Sequence, residues 1–313
     1  MHKKKILVLA GGSVKGAYQA GVVNAVFDAG FAPDAIYGVS AGAMNASYLV
    51  HLFGKQHLNN EKIDYQRASK DLVDFWLENI TEPASLARRR GTYELGLSAI
   101  RRNFEGLLDT QPLKEIVHDN ISIHNLRNSP IALKIGAVDI INGGIVYADP
   151  TYEHFHDYIL ASSAIPILMP VVNIGNHNKM AFLDGGLRDV APIRKAVHDG
   201  AEEIVCIACH TREMEGGYFP YGNLLALVDR IMDIAVNESL NMDLDWAELH
   251  NIVVGEKNVT GELNVNTSNM NSKIKLTIIR PEAPLNIDIQ KFDSDDISRI
   301  IELGYQKGKD SYS

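Results

Sequence analysis

Cysteine and positive charge are scarce in this chain of 313 residues. The 2 cysteines cannot hold together a protein of this size by disulfides. The 30 lysines and arginines are outnumbered by 39 aspartates and glutamates, and the net charge of -9 excludes the broad basic face that nucleic-acid binding requires. No stretch approaches the roughly 20 apolar residues of a membrane span, so any membrane contact is expected to be peripheral.

The apolar residues that are present predict a globular protein, since hydrophobic residues make up 46% of the chain. The first apolar run begins at Ile6 and follows lysines, as in a signal peptide. It ends at Gly11, short of the roughly 7–15 residues of a secretory h-region. We therefore interpret this run as a first β-strand and expect a cytoplasmic protein.

Strand-like apolar runs alternate with helical patterns along the chain, which predicts an α/β fold with a mainly parallel sheet covered by helices. Two apolar runs on either side of Asn142-Gly143 predict an antiparallel hairpin within that sheet, so the sheet should be mixed. Since no repeat or low-complexity linker interrupts the pattern, we expect a single domain over residues 1–313.

Two stretches are expected to leave the sheet. The first is a largely helical excursion at about 56–112, and the second, at about 211–250, continues as a long helix. Long loops in compact domains often act as lids. We favour a lid role for the aromatic cluster of Tyr218, Phe219, Pro220 and Tyr221. Five arginines of the first stretch face either a lipid surface or solvent: Arg88, Arg89, Arg90, Arg101 and Arg102.

Cys206, Cys209 and His210 spell a form that is associated with haem attachment. They end an apolar run typical of a buried strand, where residues three apart point to opposite faces. We therefore interpret both cysteines as core residues. No His, Cys and Asp cluster has metal-ligand spacing, so neither a cofactor nor a metal is expected.

A glycine loop, Gly11 to Gly16, follows the first strand and opens a helix. Ser13 departs from the dinucleotide-binding spacing, and Ala17-Tyr18 depart from the P-loop. What remains is a loop whose N–H groups can hold an anion at a helix N-terminus. The oxyanion of a tetrahedral intermediate is such an anion.

Ser40 lies between Gly38 and Gly42, in the G-x-S-x-G pattern of a nucleophile elbow. The expected context is a strand before the serine and a helix after it, and both patterns occur here. A further Asp-Gly-Gly stretch, at Asp184 to Gly186, can place a carboxylate at the end of a strand. By itself that stretch is more typical of an ordinary Asp-Gly turn.

In this order the motifs resemble those of the patatin-like phospholipase family: the loop G-G-x-x-[KR]-G, the elbow, and D-G-[GA]. Residues 161–172, ASSAIPILMPVV, are similar to a further segment of that family. The resemblance implies a three-layer α/β/α fold and a Ser-Asp dyad, with Ser40 as nucleophile and Asp184 as base. It further implies an oxyanion hole formed at Gly11, Gly12, Ser13 and Val14.

Four positions depart from the family pattern: Ser13, Met169, Val171 and Val190. None is a dyad residue, so we expect these departures to affect substrate shape more than activity. Lys15 either reaches solvent, which we favour, or places a charge near a phosphate head group.

The expected function is hydrolysis of lipid or phospholipid esters through an acyl-enzyme. One alternative is a Ser-His-Asp esterase that uses His210, which ends the strand after Asp184. Another is a non-catalytic lipid-binding or regulatory protein of the same fold. Substrates from diacyl phospholipids to small esters remain open, and so does the oligomeric state.

Overall fold

A computed structural model describes residues 3–91, 105–175, 180–214, 223–260 and 273–312. Ten strands occur in this part of the chain: β1 (Lys5–Leu9), β2 (Ala35–Val39), β3 (Arg88–Arg89), β4 (Leu108–Asp109), β5 (Ala132–Asp139), β6 (Ile145–Ala148), β7 (Val172–Asn173), β8 (Ala181–Asp184), β9 (Glu203–Ile207) and β10 (Lys275–Ile279). Eight of them form one sheet in the order β10-β9-β1-β2-β5-β8-β7, with β6 paired to β5.

The sheet is mixed and mostly parallel along its central strands, as the sequence predicts. Strand β1 pairs in parallel with β2 and β9, and parallel pairs also join β9 to β10 and β2 to β5. The hairpin predicted at Asn142-Gly143 is confirmed by the antiparallel pairing of β5 with β6. Strand β8 also runs antiparallel to β5 and to β7.

Helices cover both faces of the sheet, which confirms the three-layer α/β/α prediction. Alternate residues of β1 enter different cores, because successive side chains of a strand point to opposite faces: Leu7 and Leu9 lie in one cluster, Ile6 and Val8 in the other. The helices are α1 (Gly16–Asp28), α2 (Ala41–Leu58), α3 (Tyr65–Asn79), α4 (Pro83–Leu86), α5 (Gln111–Asn120), α6 (Ile123–Arg127), α7 (Phe155–Ser162), α8 (Ile193–His198), α9 (Leu224–Thr260) and α10 (Ser294–Ser311).

The two predicted excursions are described only in part. Helices α3 and α4 and the two-stranded pair β3–β4 form the first one, and α9 is the long helix expected in the second. Arg101 and Arg102 lie outside the described residues, and so does the aromatic cluster at 218–221. No helix in the described ranges is long and apolar enough to cross a membrane. The single domain over residues 1–313 stays a prediction.

Strand register brings the three motifs together. The glycine loop follows β1, and Ser40 follows β2, at the same edge of the sheet because β1 and β2 are parallel. Val39 pairs with Gly136 of β5, and Ala137, one residue further along β5, pairs with Asp184 of β8. Asp184 therefore ends its strand beside the end of β2.

Candidate active site

Ser40 occupies a tight turn between β2 and α2. Its φ of 55° lies in the left-handed region that serine rarely adopts, and such strain persists only where the surroundings fix the backbone. A Cβ on Gly38 would overlap the carbonyl group of Gly42, and a Cβ on Gly42 would overlap the carbonyl oxygen of Leu9. Both glycines are therefore required by close backbone packing.

Two serines at the end of α7 hold the turn from the other side. Ser162 Oγ accepts a hydrogen bond of 2.9 Å from the Ser40 N–H and donates one of 2.6 Å to the carbonyl oxygen of Gly136. Ser163 Oγ donates at 3.3 Å to the Ser40 carbonyl oxygen. In the sequence, residues 161–172 contribute only to the family resemblance, and no local pattern indicates a role for either serine.

The Asp184 carboxylate is buried and lines the same cavity as Ser40, whose hydroxyl is close enough to stabilise the charged carboxylate. Its Oδ1 also accepts a bond of 2.7 Å from the Gly186 N–H, which orients the carboxylate. The Asp184 N–H donates at 3.0 Å to the carbonyl oxygen of Ala164. The structure thus brings together the two residues that the motifs singled out at separate places in the chain.

Burial raises the pKa of Asp184 to about 6, although the hydrogen bonds from Gly186 and Ser40 oppose that shift. A carboxylate with an ordinary pKa near 3.9 is a weak base toward a hydroxyl. The raised pKa makes Asp184 a stronger proton acceptor, and the group is still mostly ionised at neutral pH.

The glycine loop lies beside Ser40: a Cβ on Gly11 would come within 3.3 Å of the Ser40 Cβ. Gly11 itself donates its N–H to the carbonyl oxygen of Val190 at 2.9 Å. The N–H groups of Gly12, Ser13 and Val14 make no hydrogen bond to the described part of the chain. Three of the four expected donors are therefore free, and the Gly11 N–H is occupied.

Two hollows meet at this point. A cavity of about 510 Å³ is lined by Ser40, Asp184, the glycine loop and one face of α9. A second cleft, of about 690 Å³, is lined mainly by apolar side chains, among them Leu86, Leu168, Met169 and Phe292. Ser13 and Ile165 line both hollows, so the cleft begins beside the cavity that contains Ser40.

His210 also lines the cavity, but its side chain contacts neither Ser40 nor Asp184 among the hydrogen bonds of the described residues. Its Nε2 lies 3.1 Å from Lys15 Nζ and 3.3 Å from an oxygen of Asp233 on α9. Burial, together with the charges of Lys15 and Arg280, keeps the pKa of His210 below its usual value, against the opposing effect of Asp233.

The favoured interpretation of Lys15 as a solvent-exposed residue is wrong. Its Nζ forms an ion pair of 3.0 Å with Asp233, and only 17% of the side chain is exposed. The sequence contains no signal for this pairing, because the two residues lie 218 positions apart.

The two cysteines near the site are buried and free, as the interpretation of the CIACH stretch predicts. Burial raises the pKa of the Cys209 thiol to about 12, although Lys15 and Gln19 oppose the shift, so it is not a reactive thiolate at neutral pH. A Cβ on Gly12 would overlap Cys209, so this thiol-bearing side chain packs directly beneath the glycine loop.

Comparison with known proteins identifies the family of this chain. Residues 7–197 match the patatin-like phospholipase family. A comparison with curated proteins gives no match. Among solved structures, the chain is similar to VipD from Legionella pneumophila, with a TM-score of 0.46 and 12% identity over 100% of this chain and 67% of that one. The family match spans more than half of the sequence, and the chain therefore belongs to the patatin-like phospholipases, a family of lipid acyl hydrolases.

Proposed function

We propose that this protein cleaves carboxylic esters of lipids through Ser40 as nucleophile and Asp184 as general base. The observation that carries the proposal is the placement of Ser40 and the buried Asp184 carboxylate in one cavity, which Gly12 and Ser13 of the glycine loop also line and where the Ser40 hydroxyl stabilises the charged carboxylate. A nucleophile, a base and oxyanion donors that face one space are the requirements of acyl transfer.

In the acylation step Asp184 takes the proton of the Ser40 hydroxyl as its oxygen attacks the ester carbonyl carbon. The carbonyl oxygen becomes an oxyanion, which accepts hydrogen bonds from the N–H groups of Gly12, Ser13 and Val14. Each such donor lowers the barrier by about 2.7–4 kcal/mol. Collapse expels the alcohol, which takes the proton from Asp184, and leaves an acyl-Ser40 ester.

Deacylation repeats these steps with water. Asp184 accepts a proton from the attacking water and then returns it to the departing Ser40 Oγ, so that the second tetrahedral intermediate breaks to a carboxylic acid, a free Ser40 hydroxyl and an ionised Asp184. The N-terminus of α2 directly follows Ser40, and its partial positive charge favours the negative intermediates.

The apolar cleft supports a substrate with a long acyl chain. It begins at Ser13 and Ile165 beside the nucleophile and continues along Leu168 and Phe292. An acyl chain bound there would place its carboxyl carbon at Ser40, with the alcohol portion in the cavity beneath α9. Peripheral contact with a membrane remains part of this proposal.

The Ser-His-Asp alternative has less support, because the contacts of His210 are to Lys15 and Asp233. A variant of each residue separates the two mechanisms. A dyad predicts that His210→Gln retains far more activity than Ser40→Ala or Asp184→Asn. Equal inactivity of a folded His210→Gln protein would favour the triad.

The test is hydrolysis of p-nitrophenyl esters by wild type, Ser40→Ala and Asp184→Asn, together with covalent labelling by a fluorophosphonate. We expect labelling in wild type and its loss in Ser40→Ala. Undiminished hydrolysis by Ser40→Ala would rule out the proposed enzyme and favour a binding or regulatory protein. A parallel assay on phosphatidylcholine vesicles tests whether membrane lipid is a substrate.

A further inference from the structure

A cluster of charged and polar side chains joins the glycine loop to α9. Lys15, which ends the loop, donates at 3.0 Å to Asp233 Oδ1 and approaches His210 Nε2 at 3.1 Å. The exposed fractions of the side chains are 17% for Lys15, 32% for Asp233 and 8% for His210. The ion pair is thus largely withdrawn from water, where screening is weak and loss of one partner is unfavourable.

Asp233 and His210 reach Lys15 from elements distant in sequence. Lys15 Nζ donates to Asp233 Oδ1 at 3.0 Å, and His210 Nε2 lies 3.1 Å from Nζ and 3.3 Å from the same carboxylate oxygen. The three groups therefore meet at one point, where the Asp233 carboxylate contacts both the lysine and the imidazole.

The backbone of Lys15 closes the turn that contains the three free amides. Its N–H donates at 3.0 Å to the Gly12 carbonyl oxygen, which leaves Ser13 and Val14 between the two ends of the turn. Ser13 has a φ of 51°, an unfavourable value for a residue other than glycine. A strained turn keeps its shape only when its ends are held in place, and the Lys15 side chain supplies such an anchor.

We propose that Lys15 is a positioning residue. Its contacts with Asp233 and His210 clamp its side chain, so that α9 holds the glycine loop in the shape in which the loop N–H groups can donate to an oxyanion. This inference rests on the proposed function, because it assumes that the amides of Gly12, Ser13 and Val14 stabilise an oxyanion. Lys15 acts through the backbone of the turn and does not contact the substrate. The competing role, an ionic contact with a phosphate head group, would require Nζ to leave a carboxylate it already binds.

The test compares kcat and KM for a neutral p-nitrophenyl ester in wild type, Lys15→Met, Asp233→Asn and Lys15→Arg. Displaced amides weaken transition-state binding more than ground-state binding, so kcat should fall about 10–100-fold while KM changes little. Lys15→Arg keeps the ion pair and should recover part of the loss. The double variant Lys15→Met/Asp233→Asn should be no slower than the slower single variant, because both remove the same clamp.

Lys307→Met is the matched control. Lys307 lies on α10, far from Lys15 along the chain, and forms an ion pair with Glu282. We expect it to leave kcat unchanged. Thermal unfolding of each variant shows whether the protein is folded at the assay temperature.

Three outcomes would overturn the inference. The first is an unchanged kcat in folded Lys15→Met. The second is a loss of stability without a change in kcat, which indicates a purely structural pair. The third is a rise in KM for a phosphate-bearing lysophospholipid alone, which indicates a head-group contact.

The Ser40→Ala variant separates failure of this inference from failure of the proposed function. If Ser40→Ala remains active, the proposed function fails. If Ser40→Ala is inactive while Lys15→Met has the wild-type kcat, only the clamp fails.

Discussion

At the scale of single residues, the site depends on an aspartate whose environment disfavours its charge. Burial raises the pKa of Asp184 to about 6, while the unfolded chain keeps a value near 3.9. The folded protein therefore binds this proton more tightly than the unfolded chain does. A base that is more easily protonated accepts the Ser40 proton more readily. The same shift lowers the free energy of unfolding as pH rises from about 4 to about 6.

The pH dependence of catalysis follows from that pKa. We predict that kcat/KM for a neutral ester decreases below pH about 6 with unit slope, because protonated Asp184 cannot accept the proton of Ser40. The measurement is a pH profile of ester hydrolysis by wild type and His210→Gln. Both profiles should share this acidic limb, whereas its disappearance in His210→Gln would assign the limb to the imidazole.

A second residue-scale prediction concerns Ser162. Replacement by alanine leaves two buried backbone groups, the Ser40 N–H and the Gly136 carbonyl oxygen, without their partner. Each orphaned group costs about 1–3 kcal/mol, so Ser162→Ala should lower both the free energy of unfolding and kcat.

Ser163→Ala is the control for Ser162→Ala. The Ser40 carbonyl oxygen also accepts bonds from Ala43 and Met44, so the loss of Ser163 Oγ should have a small effect. Denaturant unfolding and steady-state kinetics measure both variants. An equal effect of the two substitutions would show that Ser162 has no special role.

At the scale of elements, helix packing depends on glycines at closest approach. Helices α1 and α10 cross so closely that a Cβ on Gly21 would overlap the carbonyl oxygen of Ile301, and one on Gly304 would overlap that of Tyr18. Helix α1 begins directly after the glycine loop, so this contact fixes the element that supports the loop.

We predict that Gly304→Ala destabilises the protein by about 1–3 kcal/mol, because the added methyl group forces the two helices apart. Leu303→Ala, on the outward side of the same helix, is the control and should change stability little, since Leu303 is exposed. Chemical denaturation of the two variants is the measurement. Equal stability of Gly304→Ala and wild type would contradict the packing argument.

The apolar cleft leads to a prediction about chain length. Leu86 of α4 lines the cleft away from the dyad, and a tryptophan there would fill the space for the distal end of an acyl chain. Leu86→Trp should lower kcat/KM for a p-nitrophenyl dodecanoate about tenfold and leave the butyrate ester unaffected.

Leu58→Trp, at the exposed end of α2, provides the control substitution for the cleft. It should leave the ratio of dodecanoate to butyrate hydrolysis at the wild-type value. An unchanged ratio in Leu86→Trp as well would show that the acyl chain binds elsewhere.

At the scale of the whole molecule, buried carboxyl groups set how stability depends on pH. Burial raises the pKa of Asp184 and of Asp229 to about 6 and that of Asp243 to about 7. For Asp243, hydrogen bonds from Val190 and Ala191 oppose the shift, and the charge of Asp189 adds to it. Between pH about 4 and 7 these three carboxyl groups therefore hold more protons in the folded chain than in the unfolded chain, where they titrate near 3.9. Their contribution to stability decreases as pH rises through this interval.

Asp199 acts in the opposite direction. Hydrogen bonds and charges from Lys134 and Lys195, with a further bond from Tyr37, hold its pKa well below the usual value despite partial burial. Its stabilising contribution is present above pH about 4 and is lost as pH falls further.

Three histidines that are buried or half-buried oppose these carboxyl groups. Burial lowers the pKa of His51 to about 4 and keeps those of His156 and His210 below the usual value, so their contribution to stability increases as pH rises through the same interval.

We predict that Asp184→Asn abolishes hydrolysis and removes one group with a raised pKa. The midpoint of thermal unfolding of the variant, relative to that of wild type, should increase as pH rises from about 4 to about 6, because only wild type has to ionise this buried carboxyl group. Scanning calorimetry of both proteins across pH 3–8 measures the difference. A constant or decreasing difference would contradict the raised pKa of Asp184.

The sequence by itself determined the sheet, the order of its main strands and helices, and the positions of the motif residues. Apolar runs of strand length and G-x-S-x-G spacing are local patterns, and local backbone chemistry sets them. The resemblance to the family then implied a dyad of Ser40 and Asp184. Neither motif by itself indicates that the two residues lie close together.

Only the tertiary structure decided which side chains meet. Register between β5 and β8 brings Asp184 to Ser40, and packing of α7 brings Ser162 beneath the elbow. The ion pair of Lys15 with Asp233 joins residues 218 positions apart, and the pKa of Asp184 depends on burial by many chain segments. Such contacts and burial are set by the packing of distant elements, for which a single sequence carries no local signal.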